Sequence, residues 1–134
     1  MFKNIVVAIF LLAIFPGVVF SAGSCEGFQS GAIGGDWPNG RSAKLVINTI
    51  DDSNCTSDVE YFWGPYKTYP SGSYRTEATI DGNVMTIPLA SGDLRARLVV
   101  TANSDTFTVT WQKMKNGKLV GKILTTRFRQ SGQD

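Results

Sequence analysis

Histidine is absent from this 134-residue chain, and that one absence removes a large share of enzyme chemistry. Serine–histidine and cysteine–histidine nucleophilic systems need an imidazole base, and most transition-metal sites draw on imidazole nitrogen. Cysteine is scarce, with only Cys25 and Cys55. Neither sign of charge dominates: 13 Lys and Arg stand against 11 Asp and Glu, a formal net charge of +2. A balance of this kind calls for neither nucleic acid nor an anionic membrane as partner. No segment shows sustained helical periodicity with caps, and no Gly-rich phosphate loop follows a strand and opens a helix. Internal repeats, charge runs and linkers are missing too. No cofactor or metal is implied.

The single long hydrophobic run lies at the N-terminus. Lys3 precedes an apolar stretch from Ile5 to Phe20, then come the small residues Ser21, Ala22, Gly23 and Ser24. Charge, apolar centre and small residues in that order read as a secretory signal, assigned here to residues 1–22 and expected to be cleaved. The run is short for a bilayer span and Pro16 interrupts it, which argues against a retained anchor. "SAGSC" also resembles a loose bacterial lipobox, in which Cys25 would carry lipid and tether the protein to a membrane. The competing use of Cys25 is a disulfide with Cys55, as an even cysteine count in an exported chain suggests. We favour the disulfide, and with it a periplasmic or extracellular protein. The remaining 23–134 segment is long enough for one domain and too short for two.

That segment reads as strands and turns. Strands are read over 43–50, 58–64, 73–80, 83–89, 94–100, 106–112 and 119–129, with a shorter one over 28–37, and period-two alternation marks 58–64, 73–80, 94–100 and 106–112. Asp81-Gly82 and Asn116-Gly117 are strong hairpin signals. Seven or eight strands in meander order fit an all-β fold, a single antiparallel up-and-down barrel of about eight strands, since closure removes exposed edges. The domain is expected to be a monomer.

Gly35-Asp36-Trp37 near the start of this segment, with Arg127 or Arg129 on the final strand, resembles the calycin-like barrels, the group of lipocalins and avidins. The resemblance implies that a guanidinium packs across the Trp37 indole where the barrel closes. Pro38, directly after Trp37, departs from that pattern. "GRSAKLVI", "VEYFWG" and "ATIDGN" together resemble small exported bacterial barrel domains, some of which accompany secreted hydrolases. That likeness implies fold more than activity.

Carboxylate-only hydrolysis is the enzyme class that survives the lack of histidine. Its candidates are Asp51 with Asp52, Asp58 with Glu60, and Glu77 with Asp81. All fall in turns or on polar strand faces, where acids are solvated, so the chain is expected to be non-catalytic. Arg75, Arg95 and Arg97 can share an outer face and bind an acidic group, or simply be solvated, with Glu77 as a partner.

The aromatic stretch "VEYFWGPYKTYPSGSY" holds all four tyrosines. Val59, Tyr61 and Trp63 point inward by alternation, leaving Phe62 outside in need of a cover. Tyr66 and Tyr69 fall in a Gly-, Pro- and Ser-rich loop. That loop is either a lid over Phe62, which a small barrel with little spare core favours, or a recognition surface. The expected function is an exported binding module that engages a small molecule, glycan or protein through this end. Tyr66, Tyr69, Lys67, Tyr74 and Arg75 are the contact residues. The rival readings are a protein inhibitor or adhesin, since "PLASGDLRA" resembles a loop of lysozyme inhibitors, and an accessory domain related to secreted hydrolases.

Overall fold

A computed structural model describes Cys25 and residues 27–131; the expected signal segment, 1–22, lies outside the described residues. Eight strands follow in chain order among these: β1 (Gly31–Asp36), β2 (Ser42–Asp51), β3 (Thr56–Trp63), β4 (Gly72–Asp81), β5 (Val84–Ser91), β6 (Leu94–Ala102), β7 (Phe107–Lys115) and β8 (Lys118–Gln130). Each pairs antiparallel with its chain neighbour, and β8 returns to β1 to close the barrel. The expected all-β up-and-down barrel is therefore what the chain builds, with strand bounds within a few residues of those read from alternation.

Alternation explains the core. Leu45, Val59, Ile87, Leu98, Val100 and Val109 occupy every second position on their strands, and none is exposed. Phe128 on β8 and Met85 on β5 are the bulkiest of the wholly buried side chains beside Leu45. Ser57 is the buried polar exception, and its hydroxyl donates to the Thr49 carbonyl at 2.7 Å, which removes the cost of an unpaired polar group.

The ladder is uneven around the ring. The β1–β8 seam is held by Ile33 opposite Gln130 and Gly34 opposite Arg129. The β4–β5 seam is paired at Thr79 with Thr86, Ile80 with Met85 and Asp81 with Val84. Pro88, which has no N–H to donate, lies in the part of β5 beyond that pairing, where it costs the β4–β5 ladder nothing. Two four-stranded halves, β1–β4 and β5–β8, thus meet along two short seams. Gly35 permits close approach at one of them: a Cβ there would lie 2.6 Å from the Arg127 carbonyl oxygen.

Cys25 and Cys55 form a disulfide with Cα atoms 5.5 Å apart. It ties the segment before β1 to the β2–β3 turn. Beside it Phe28 is buried and stacks on Phe107, ring centroids 6.2 Å apart.

Candidate functional site

The β1–β2, β3–β4, β5–β6 and β7–β8 connections share one end of the barrel, hereafter the aromatic end. Trp37 follows β1 directly and turns inward. Its N–H donates to the Arg41 carbonyl at 2.8 Å and its carbonyl accepts from Gly40 at 2.8 Å, so Pro38 falls in a tight turn and interrupts no strand. The indole Nε1 donates to the Tyr61 hydroxyl at 2.9 Å, and the ring packs edge-on to Phe128 at 6.2 Å. With 6% of its surface exposed, Trp37 is a plug within the barrel.

The contact implied for an arginine on Trp37 is instead made by Phe128. Arg127 and Arg129 flank Phe128 in sequence, so strand alternation turns both outward, where they are exposed. A ring, and not a cation, packs on the Trp37 indole.

Behind the plug, Tyr61 and Trp63 meet at 5.9 Å, and Tyr74 lies opposite Tyr61 on β4, half-buried. Gly72 is opposite Trp63, and a Cβ on it would fall 2.6 Å from Trp63 Cζ2. Gly72→Ala must push the indole aside. Overpacking of this kind costs about 1–3 kcal/mol, so a lower melting temperature and a shifted tryptophan emission are expected.

The loop beyond β3 is itself ordered. Tyr66 and Tyr69 exchange two backbone hydrogen bonds, at 3.0 and 2.8 Å, which makes Tyr66-Lys67-Thr68-Tyr69 a miniature hairpin. Lys67 takes a φ of 53° at its apex, and its Nζ sits 5.2 Å from the Tyr66 ring centroid. Arg41, a residue the sequence reading passed over, fastens the base. Its Nε donates to the Gly64 carbonyl at 2.6 Å and its Nη2 to that of Pro70 at 3.3 Å. Tyr69 projects with 63% of its surface exposed, while Tyr66 is half-buried. Trp37 plugs this end, and the outward, half-buried Phe62 ring has Lys44 Nζ over it at 5.1 Å.

Arg75 is set apart from this group. It projects from the outer face of β4, where Nε donates to Asp58 Oδ1 at 3.0 Å and Nη2 to Asp58 Oδ2 at 2.5 Å. The partner foreseen for it, Glu77, is therefore replaced by Asp58. That bidentate bond holds the Asp58 carboxyl below its ordinary range. Arg95 is occupied by its own turn, donating to the carbonyls of Gly92 and Leu94 at 2.7 and 2.9 Å. The structure thus gathers Tyr66, Lys67 and Tyr69, places Tyr74 just inside the mouth, and leaves Arg75 in an ion pair.

The carboxylates show the same structural use. Asp51 accepts from Asn54 Nδ2 at 3.0 Å and from the Ser53 N–H at 2.9 Å, and these bonds hold its carboxyl low. Asp51, Asp58 and Glu77 line an open outer depression of about 330 Å³. Asp51 and Asp58 are shifted downward, opposite to what a general acid at neutral pH needs. A smaller cleft of about 60 Å³ lies at the other end, beside Ile33, Phe107 and Gln130.

Comparison with protein-family models, with curated proteins and with solved structures finds no match for this chain.

Proposed function

We propose that this chain is an exported, non-catalytic recognition module that binds a glycan or a protein surface through the Tyr66–Tyr69 hairpin. The observation that carries this reading is a contrast. The barrel axis is filled by Trp37 and the buried aliphatic side chains, whereas Tyr69 stands largely exposed on a loop fastened by Arg41. A filled barrel favours surface recognition over an enclosed small ligand. A rigid hairpin loses little conformational freedom on binding, and tyrosine combines a flat apolar body with a polar tip. Lys67 adds a cation beside the Tyr66 ring, and Tyr74 extends the aromatic surface towards the mouth. The architecture is compatible with the calycin-like group, and kinship with that group is part of the proposal.

Export is supported by the disulfide, which persists in oxidising compartments. The bond takes the Cys25 Sγ that a thioether-linked lipid would need, so an unlipidated periplasmic or extracellular protein is proposed. Intact mass of the exported protein tests this directly.

The binding test uses Tyr66→Ala with Tyr69→Ala on a glycan array and in pull-downs from secretions. Loss of the ligands that the natural protein retains is expected, with unfolding free energy changed by less than about 1 kcal/mol. A large loss of stability would make the hairpin part of the core and sink the reading. Retained binding would move the site elsewhere.

A further inference from the structure

The near-neutral total hides a segregation of charge between the two halves of the barrel. From β6 to β8 the chain carries eight basic residues, Arg95, Arg97, Lys113, Lys115, Lys118, Lys122, Arg127 and Arg129, against Asp105 alone, a net charge of +7. From β1 to β4, seven acidic residues face four basic ones, a net charge of −3. Consecutive strands are spatial neighbours in this barrel, so the sequence asymmetry becomes a cationic side and an anionic side. Seven of the eight cations are exposed, with Arg97 half-buried. The ion pair among the described residues, Arg75 with Asp58, belongs to the opposite half.

Exposed apolar side chains lie on the same strands. Among the large hydrophobic residues, Ile123 is 55% exposed, Leu119 41% and Leu94 39%. Leu119 pairs across the β7–β8 hairpin with Met114, and Arg95 flanks Met114 on β6. Lys113 and Val120 pair on the face that points inward lower down. There Lys113 is exposed and Val120 half-buried, so this hairpin extends past the covered core. By alternation Met114 and Leu119 take one face of this tip, and Lys113, Lys115 and Lys118 take the other.

We propose that the β7–β8 hairpin and its β6 neighbour dock the protein on an anionic phospholipid bilayer. Lysines attract the headgroups while Leu119 and Ile123 enter the interfacial layer. A soluble polyanion would reward the cations and leave Leu119 and Ile123 in water. A symmetric second copy would set +7 against +7. The bilayer uses both features of the surface. This contact uses the opposite half of the barrel from the Tyr66–Tyr69 hairpin, which springs from the anionic half at the same end.

Co-sedimentation with vesicles of phosphatidylglycerol and phosphatidylcholine, compared with phosphatidylcholine alone, tests the assignment. Binding to the anionic vesicles is expected, weakening steeply with salt. Lys118→Glu with Lys122→Glu should weaken it about tenfold or more, and Leu119→Ser with Ile123→Ser several-fold. The Tyr66→Ala, Tyr69→Ala protein should bind these vesicles like the natural one, separating this surface from the recognition site. All four substituted side chains on β8 are exposed, and circular dichroism checks that the variants keep the fold. No binding to anionic vesicles, equal binding to neutral ones, or binding unaffected by either β8 pair of substitutions overturns the proposal. Binding to heparin as tight as to vesicles and indifferent to Leu119→Ser with Ile123→Ser would also overturn it, in favour of an anionic polymer.

Discussion

Replacing Cys25 and Cys55 together by serine is expected to lower the unfolding free energy by about 3–4 kcal/mol and the melting temperature by on the order of 15 °C. The bond joins residues 30 apart in sequence, and the loop it closes contains β1, the Trp37 turn and β2. The bond acts beside a short seam. β1 is paired along its length with β2 but meets the β8 ladder at Ile33 and Gly34. There the Ser131 N–H donates to the Ala32 carbonyl and the Thr126 hydroxyl to that of Asp36, and the segment before β1 is anchored by Phe28 against Phe107. The disulfide also holds Cys55 at a φ of 51°, a region that non-glycine residues seldom adopt, while the Cys55 carbonyl accepts from the Ile80 N–H at 2.8 Å. A domain of this size can bury a core of its own, and the disulfide compensates for part of its smallness. Denaturant titration of the natural protein with and without reductant, beside the double variant, measures the effect. A change below about 1 kcal/mol would mean that barrel closure alone stabilises β1.

What could be read in advance, and what could not, follows from the range of each interaction. Period-two alternation in "LRARLVV" or "TFTVTWQ" is a local signal, and burial on one face of a sheet dictates it, so β6 and β7 were legible. The fate of Trp37 was less so. Its position near the barrel mouth was foreseeable, but whether Arg127, Phe128 or Arg129 meets it depends on the β1–β8 register. That register joins residues about a hundred positions apart. A shift of one residue would exchange ring for guanidinium. Arg41 was missed for a similar reason. Its acceptors are the Gly64 and Pro70 carbonyls, and backbone acceptors leave no trace in side-chain patterns. Asp58 as the partner of Arg75 illustrates a third limit. Glu60 is directly opposite Arg75 and Asp58 opposite Glu77, so the chosen contact is diagonal and set by side-chain reach. The separation of charge between the halves was in the residue list throughout. It gained meaning only once meander order showed that β6, β7 and β8 are neighbours.

Trp37→Ala is expected to cost about 3–5 kcal/mol, the range for removing a large buried aromatic. Two separate losses are expected to contribute. The indole leaves a void between Phe128 and the mouth, and the buried Tyr61 hydroxyl loses its donor at 2.9 Å. Trp37→Phe retains part of the volume and removes the donor, so it should cost less. Tyr61→Phe keeps both rings and leaves the indole N–H without its acceptor, for about 1–3 kcal/mol. If the bond is the link, the double variant Trp37→Phe with Tyr61→Phe should be less destabilised than the sum of the single ones. Tyr61 adds a dependence on pH. Burial, outweighing the indole hydrogen bond and the Arg41 charge, pushes its phenol above the ordinary value. A folded-state pKa raised in this way gives stability that is complete below the unfolded value of about 10 and is lost as pH rises through the folded one. Alkaline unfolding should therefore steepen above about pH 10 in the natural protein and flatten in Tyr61→Phe. The void itself offers the last discrimination. If Trp37 is what keeps the barrel closed to ligands, Trp37→Ala should bind a small apolar dye that the natural protein excludes. A variant that stays fully stable and excludes the dye would show that neighbouring side chains, and not the indole, seal the mouth.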